Sequence, residues 1–209
     1  MTMRGRLKKS GFPHSVGGMA WVLGIARGAL AMVFIAIVAS TPWRNAHAAD
    51  DDASLELRVK AAFLYQFAGY VEWPANASPQ PGAPITIAVL GADSLATELS
   101  QVVTGRTVGG RAVTVRRVKP GESLTGVHIL FIGRAENERL SQLAQASQPR
   151  AILTVTETDG ALTKGSMINF VLVDRRVRFE VALDSAEKGG LRLSSRLLAV
   201  AQLVRSGTP

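Results

Sequence analysis

Two alternating runs, Met167–Val173 and Val177–Leu183, flank the polar stretch Asp174-Arg175-Arg176, and they constrain the fold more tightly than any other part of the chain. Strict alternation of apolar and polar residues marks a half-buried strand. Ile168, Phe170 and Leu172 share one face of the first run; Val177, Phe179, Val181 and Leu183 share one face of the second. A loop of two residues (Asp174, Arg175), or of four, puts both apolar sets on the same side, whereas a loop of three would oppose them. The opposite face then carries Asn169, Arg178 and Glu180, and a two-residue loop sets Asn169 directly across from Glu180. A sheet with one apolar face needs another layer to cover it.

The rest of the chain supplies such layers. Apolar residues at Leu55, Val59, Ala62, Phe63, Phe67 and Tyr70 recur three and four apart, which predicts a helix over Leu55–Val71. Asp50, Asp51, Asp52 and Ser54 precede it, offering negative charge and an N-cap, and Trp73-Pro74 stops it. Ile85–Leu90 is continuously apolar, the pattern of a strand covered on both faces. A short helix (Leu95–Val103), a hairpin or surface loop (Gly105–Gly110) and a strand (Ala112–Val118) follow. Val127–Ile132 is another buried strand, Glu136–Ala146 a helix stopped by Pro149, and Ala151–Val155 a further strand. After Gly189-Gly190 the spacing predicts a C-terminal helix, about Ser194 to Val204, packing Leu197, Leu198, Val200, Ala201 and Val204 on the sheet. The expected fold is α/β: one three-layer domain, a mixed β-sheet flanked by helices, with a C-terminal antiparallel hairpin and helix.

The first 48 residues read differently. Arg4, Arg6, Lys8 and Lys9 give a positive start, Gly28–Ala39 an apolar run, and Ala46-His47-Ala48 a small-x-small cleavage pattern. Together these describe a secretory leader of residues 1–48, cleaved after Ala48, and a periplasmic domain of residues 49–209. An uncleaved inner-membrane anchor is the alternative, because Val16–Ala39 is apolar apart from Arg27. Of 24 Lys and Arg residues six precede Ala49, and none of the 16 acids does, so the domain carries 18 bases against 16 acids. The basic pI of 10.6 therefore belongs largely to the leader and does not describe a nucleic-acid surface.

Chemistry is sparse. With no cysteine, disulfides, thiolate nucleophiles and Cys-held metals are excluded. His128 is the only histidine after Ala48, and it opens a buried strand, where a hydrogen-bonded structural role is expected. No metal-ligand cluster, Gly-x-Ser-x-Gly elbow or phosphate loop can be assembled, so neither catalysis, a cofactor nor a metal is expected. Two features remain. Glu180 lies between Phe179 and Val181, and a covered carboxylate needs a partner; Arg192, Arg196, Arg58 and Lys60 are in range by sequence. Glu180 with Asn169, Arg192 and Arg196 forms either a structural ion pair or a small pocket for an anionic or zwitterionic ligand. Tyr65 and Trp73 fall off the helical stripe and serve either as partner-interface anchors or as packing under the following loop.

The blocks Val59-Lys60-Ala61-Ala62-Phe63-Leu64-Tyr65-Gln66-Phe67 and Val71-Glu72-Trp73-Pro74 resemble the opening signature of the YfiR family of periplasmic proteins. Ile87-Ala88-Val89-Leu90-Gly91, His128-Ile129-Leu130-Phe131-Ile132, Gly165-Ser166-Met167-Ile168-Asn169-Phe170, Arg178-Phe179-Glu180-Val181 and Leu191-Arg192-Leu193-Ser194-Ser195-Arg196-Leu197-Leu198 continue the likeness in order. The resemblance implies a mixed sheet between helices, a tendency to dimerise, and restraint of an inner-membrane diguanylate cyclase through that enzyme's periplasmic sensor region. Release of the restraint would raise cyclic di-GMP and favour biofilm. Family members often carry a cysteine where Val127 stands here, so redox control through thiols cannot operate in this chain.

The expected function is thus a periplasmic regulatory binding protein, not an enzyme, whose partner is the periplasmic domain of a membrane-bound diguanylate cyclase or sensor kinase. A small-ligand-binding module without a cyclase partner is the alternative.

Overall fold

A computed structural model describes residues 44–77 and 82–206. The expected leader lies outside the described residues except for 44–48.

The first helix, α1 (Arg44–Tyr70), leads into a short strand, β1 (Val71–Glu72). It begins earlier than its apolar spacing suggests, because Ala46, Ala48, Ala49 and Ala53 are strong helix formers that carry it through the acidic stretch. Asp50–Asp52 therefore lie inside this helix and Ser54 is not its cap. Its buried stripe is Ala61, Leu64, Phe67 and Ala68, so the helix is rotated from the expected stripe and Leu55 is exposed.

Next come β2 (Ile85–Leu90), α2 (Asp93–Val103), β3 (Thr107–Val108), β4 (Arg111–Val118) and β5 (Ile129–Ile132). The expected helix over Glu136–Ala146 is a 3₁₀ segment, Arg134–Arg139, followed by α3 (Leu140–Ser147). Then follow β6 (Leu153–Thr156), β7 (Ile168–Val173), β8 (Arg176–Ala182), α4 (Leu183–Lys188), β9 (Arg192–Leu193), α5 (Ser195–Ala199) and β10 (Leu203–Arg205).

Eight strands form one mixed sheet in the order β10-β8-β7-β6-β5-β2-β4-β3. Its centre, β4-β2-β5-β6-β7, is parallel, and the hairpins β7–β8 and β3–β4 are antiparallel. Thr107–Val108 thus resolves the Gly105–Gly110 stretch as a hairpin. In the β7–β8 hairpin Val173 pairs with Arg176, so the loop is the two-residue one, and Asn169 does lie across from Glu180. Asp174 and Arg175 both take positive φ, 50° and 58°, as the twist of a two-residue turn requires.

The large core packs α1, α2 and Leu197 against one sheet face, around Phe67, Phe131, Phe170 and Phe179. The smaller core packs Leu140 of α3 and Ala161 against Ala88, Leu90, Leu130 and Ile132 on the other face. Phe63 and Phe67 meet Phe179 edge-on, at 5.3 and 5.1 Å between centroids. Such aromatic pairs add to the burial of their area.

The C-terminus departs from expectation. Helix α5 stops at Ala199, and β10 runs parallel beside β8, Leu203 to Glu180 and Arg205 to Ala182. Leu197 is buried as expected, but Val200 and Val204 are 61% and 36% exposed instead of packed on the sheet. The open edge of β8 offers backbone partners that a longer helix would leave unsatisfied.

Candidate functional site

Ligands of open α/β sheets bind beyond the carboxyl ends of parallel strands, where the strand order reverses. That point here lies between β2 and β5, and the protein fills it itself. Gly133 donates its N–H to the Leu90 carbonyl at 2.8 Å. A Cβ on Gly133 would collide with the Gly91 carbonyl, and one on Gly91 would sit 2.9 Å from the Glu136 side chain.

Beside it, at the end of β6, lies a feature that sequence reasoning missed. Lys60 is 3% exposed. Its ammonium pairs with Glu56, one turn earlier on α1, and with Glu157 at 2.5 Å, just past β6. Arg134 donates to the Glu157 carbonyl at 3.2 Å. A neighbouring buried network holds Asn169: its Oδ1 accepts from Thr156 Oγ1 at 2.8 Å and from the Thr158 N–H at 3.0 Å. This arrangement ties α1 to the sheet; it presents no unsatisfied group to a ligand.

The structure sets Asn169 and Glu180 side by side across the β7–β8 ladder but brings neither Arg192 nor Arg196 into an ion pair with Glu180. Asn169 is 1% exposed, with its carbonyl oxygen engaged toward β6. Glu180 is half-buried on β8. Among the described residues no cation lies within 4 Å of it: Lys60 is spent on Glu56 and Glu157, and Arg58 faces Glu98 at 3.8 Å. Arg192 is exposed on β9, across from Glu72 of β1, and Arg196 is exposed on α5. That β1–β9 pairing joins the Val71-Glu72-Trp73-Pro74 block to the Leu191–Leu198 block, far apart in sequence.

Tyr65 donates to the Thr107 carbonyl at 3.2 Å and lies under the Arg106 guanidinium, 5.3 Å from its ring centroid. Trp73 donates from Nε1 to the His128 carbonyl at 3.3 Å and meets the imidazole edge-on. Both are half-buried. His128 is the structural histidine expected: it is 1% exposed, and Arg111 Nη2 approaches its Nε2 at 3.0 Å. Arginine only donates, so Nε2 is the acceptor in this contact. Burial first, and then the Arg111 charge, lower its pKa below 6.5, against a backbone hydrogen bond at Gly126.

A groove of about 720 Å³ lies between the middle of α1, from Asp52 to Phe63, and the tip of the β7–β8 hairpin. Leu55, Val59 and Phe63 form one wall, Leu172 and Val177 the other, and Arg175, Arg176 and Arg178 stand at its rim. Its size and apolar lining suit a binding site. Two carboxylates, Asp52 and Glu56, also line it, and among the described residues no cluster of three metal-binding side chains occurs. The periodicity of α1 and the hairpin alternation each showed half of this groove; their juxtaposition was not readable from either.

A family model described as YfiR/HmsC-like matches residues 57–202. No curated protein matches the chain. Among solved structures, a conserved domain protein from Vibrio cholerae is similar at a TM-score of 0.51 and 9% identity, covering 71% of this chain and 60% of that one. An ABC domain from Streptococcus pneumonia, in complex with L-Trp, has a TM-score of 0.47 and 9% identity, covering 58% of this chain and 55% of its own. The chain thus spans less than two thirds of either structure, and the first likeness concerns fold alone.

Proposed function

This chain belongs to the YfiR/HmsC-like family, and from that membership we propose that it is a periplasmic regulator that restrains a membrane-bound diguanylate cyclase through the cyclase's periplasmic region. The family match over residues 57–202 carries this reading. The described residues favour binding over chemistry: the switch point is packed shut, Lys60 and His128 are committed to structural contacts, and the open groove is apolar with a cationic rim. Cleavage after Ala48 would place Asp50–Asp52 in the first turn of α1, where carboxylates favour the helix dipole. Regulation then requires only that contact with this protein bias one of two states of the membrane enzyme.

The test is cellular cyclic di-GMP with the gene deleted and with a plasmid copy restored. Restraint of a cyclase predicts a rise that the plasmid reverses. An unchanged level across several growth conditions would refute it.

A further inference from the structure

We propose that the groove between α1 and the β7–β8 hairpin, with the open edge of β8 beside it, docks an extended segment of a protein partner in which apolar and acidic residues alternate. The proposal rests on the regulatory reading only for the existence of a protein partner. The site and its chemistry come from the register of the sheet and from the side chains around it.

The residues flanking a two-residue turn form a hydrogen-bonded pair, here Val173 with Arg176. Along β8 the even-numbered residues therefore spend their backbone groups on β7, and the odd-numbered ones point outward. The Ala182 N–H, bonded to the Met167 carbonyl, and the Phe179 carbonyl, accepting from the Gln202 N–H, follow this rule. Strand β10 covers β8 only from Glu180 to Ala182. The N–H and C=O of Val177 and the N–H of Phe179 are left at an uncovered edge, the geometry that accepts an added strand.

Side chains set what that strand must carry. Val177 and Phe179 face α1, and beside them Leu55 and Leu172 are 58% and 51% exposed, large apolar groups on opposite walls of one groove. Arg176 and Arg178 alternate to the other face, and Arg175 sits at the turn. None of the three arginines forms an ion pair among the described residues, and of the two acids in the lining, Asp52 and Glu56, the second is spent on Lys60, so the arginines outnumber the acid that is left. The groove therefore presents uncompensated positive charge, which selects an anionic occupant. An added strand turns successive side chains to alternate faces: apolar ones enter the groove, and acidic ones meet Arg176 and Arg178.

A fluorescein-labelled peptide, Glu-Val-Glu-Val-Glu-Val-Glu with blocked ends, is the direct test, titrated by anisotropy onto the purified chain. Saturable binding is expected. It should weaken at least about tenfold when Arg176→Glu and Arg178→Glu are combined, since each removes a charge-assisted contact. Val177→Pro should act similarly, because it deletes an outward N–H at an edge position that tolerates proline. Arg196→Glu should change nothing. Replacing the peptide's glutamates with lysines, or methylating alternate backbone nitrogens, should abolish binding. No saturable binding, or equal binding by the double charge-reversal chain, overturns the proposal. In cells the two readings separate. If deletion raises cyclic di-GMP and the Arg176→Glu, Arg178→Glu chain restores it fully, the groove proposal fails and the regulatory reading stands. If deletion changes nothing, the regulatory reading fails and the peptide titration alone decides the groove.

Discussion

Replacing Lys60 with Met removes a charge and keeps most of the stem that packs in the core. The Lys60 side chain is 4% exposed, and its partners Glu157 and Glu56 are 16% and 27% exposed, so water cannot replace the lost cation. Deleting one member of a buried pair costs about 3–5 kcal/mol. Partial exposure of Glu56 screens some of this, which puts the expected loss near 3 kcal/mol. At about 2–4 °C per kcal/mol for a domain of this size, the melting temperature should fall by roughly 6–12 °C. Urea and thermal unfolding, followed by far-UV circular dichroism on the purified protein, would measure it. Adding Glu56→Gln and Glu157→Gln to the same chain should recover at least about 1 kcal/mol, because the two carboxylates would no longer be left facing each other. A Lys60→Met chain within about 0.5 kcal/mol of the parent would refute the reasoning.

Three further outcomes are expected. Gly133→Ala should destabilise by about 3 kcal/mol in urea unfolding, because its Cβ would press on the Gly91 backbone and neither strand can retreat. Arg175→Gly should stabilise by about 1 kcal/mol, since Arg175 holds a positive φ that glycine adopts freely; an unchanged urea midpoint would argue against strain at the turn. His128 should make stability fall with acid. Its folded pKa is lowered, so the unfolded chain binds the proton more readily; its contribution is full above pH 6.5 and is lost as pH drops through 6.5 toward the lowered folded value. Urea midpoints between pH 7.5 and 5 should decline, and less steeply in His128→Gln; identical profiles would remove His128 as the cause.

The parts legible in the sequence are those in which local pattern and topology agree. The β7–β8 register followed from period-2 alternation and turn length alone, down to Asn169 facing Glu180. The buried strands β2, β5 and β6 announced themselves as short apolar runs. What escaped depends on residues distant in sequence. Lys60 is a candidate partner of Glu180 by sequence, but Glu157, ninety-seven residues later, takes it instead, and that contact accompanies the rotation of α1 away from its apparent stripe. Leu197, Leu198, Val200, Ala201 and Val204 fit a helix by spacing, yet the bare edge of β8 takes the last of them as a strand. The candidate partners of Glu180 were charges of the right sign on elements that do not bring them to it.

The same contacts explain why the groove lies where it does. Helix α1 crosses the sheet and is fastened at opposite ends of two central strands: by Lys60 to Glu157 past the carboxyl end of β6, and, just beyond the helix, by Trp73 to His128 at the start of β5. N-terminal to Lys60 the described residues add only the longer Arg58–Glu98 contact and the packing of the partly buried Leu57 and Val59, and beyond these Leu55 stands opposite Leu172 with both exposed. One wall of the groove is therefore the overhang of a clamped helix. Loosening the clamp should move that wall, whereas reversing Arg176 and Arg178 should alter only what the groove attracts. Lys60→Met is expected to lower both stability and peptide binding, and the arginine reversals to lower binding at unchanged stability. If Lys60→Met destabilised the fold yet left peptide affinity intact, α1 would not be a wall of the binding site, and the Val177 edge alone would account for docking.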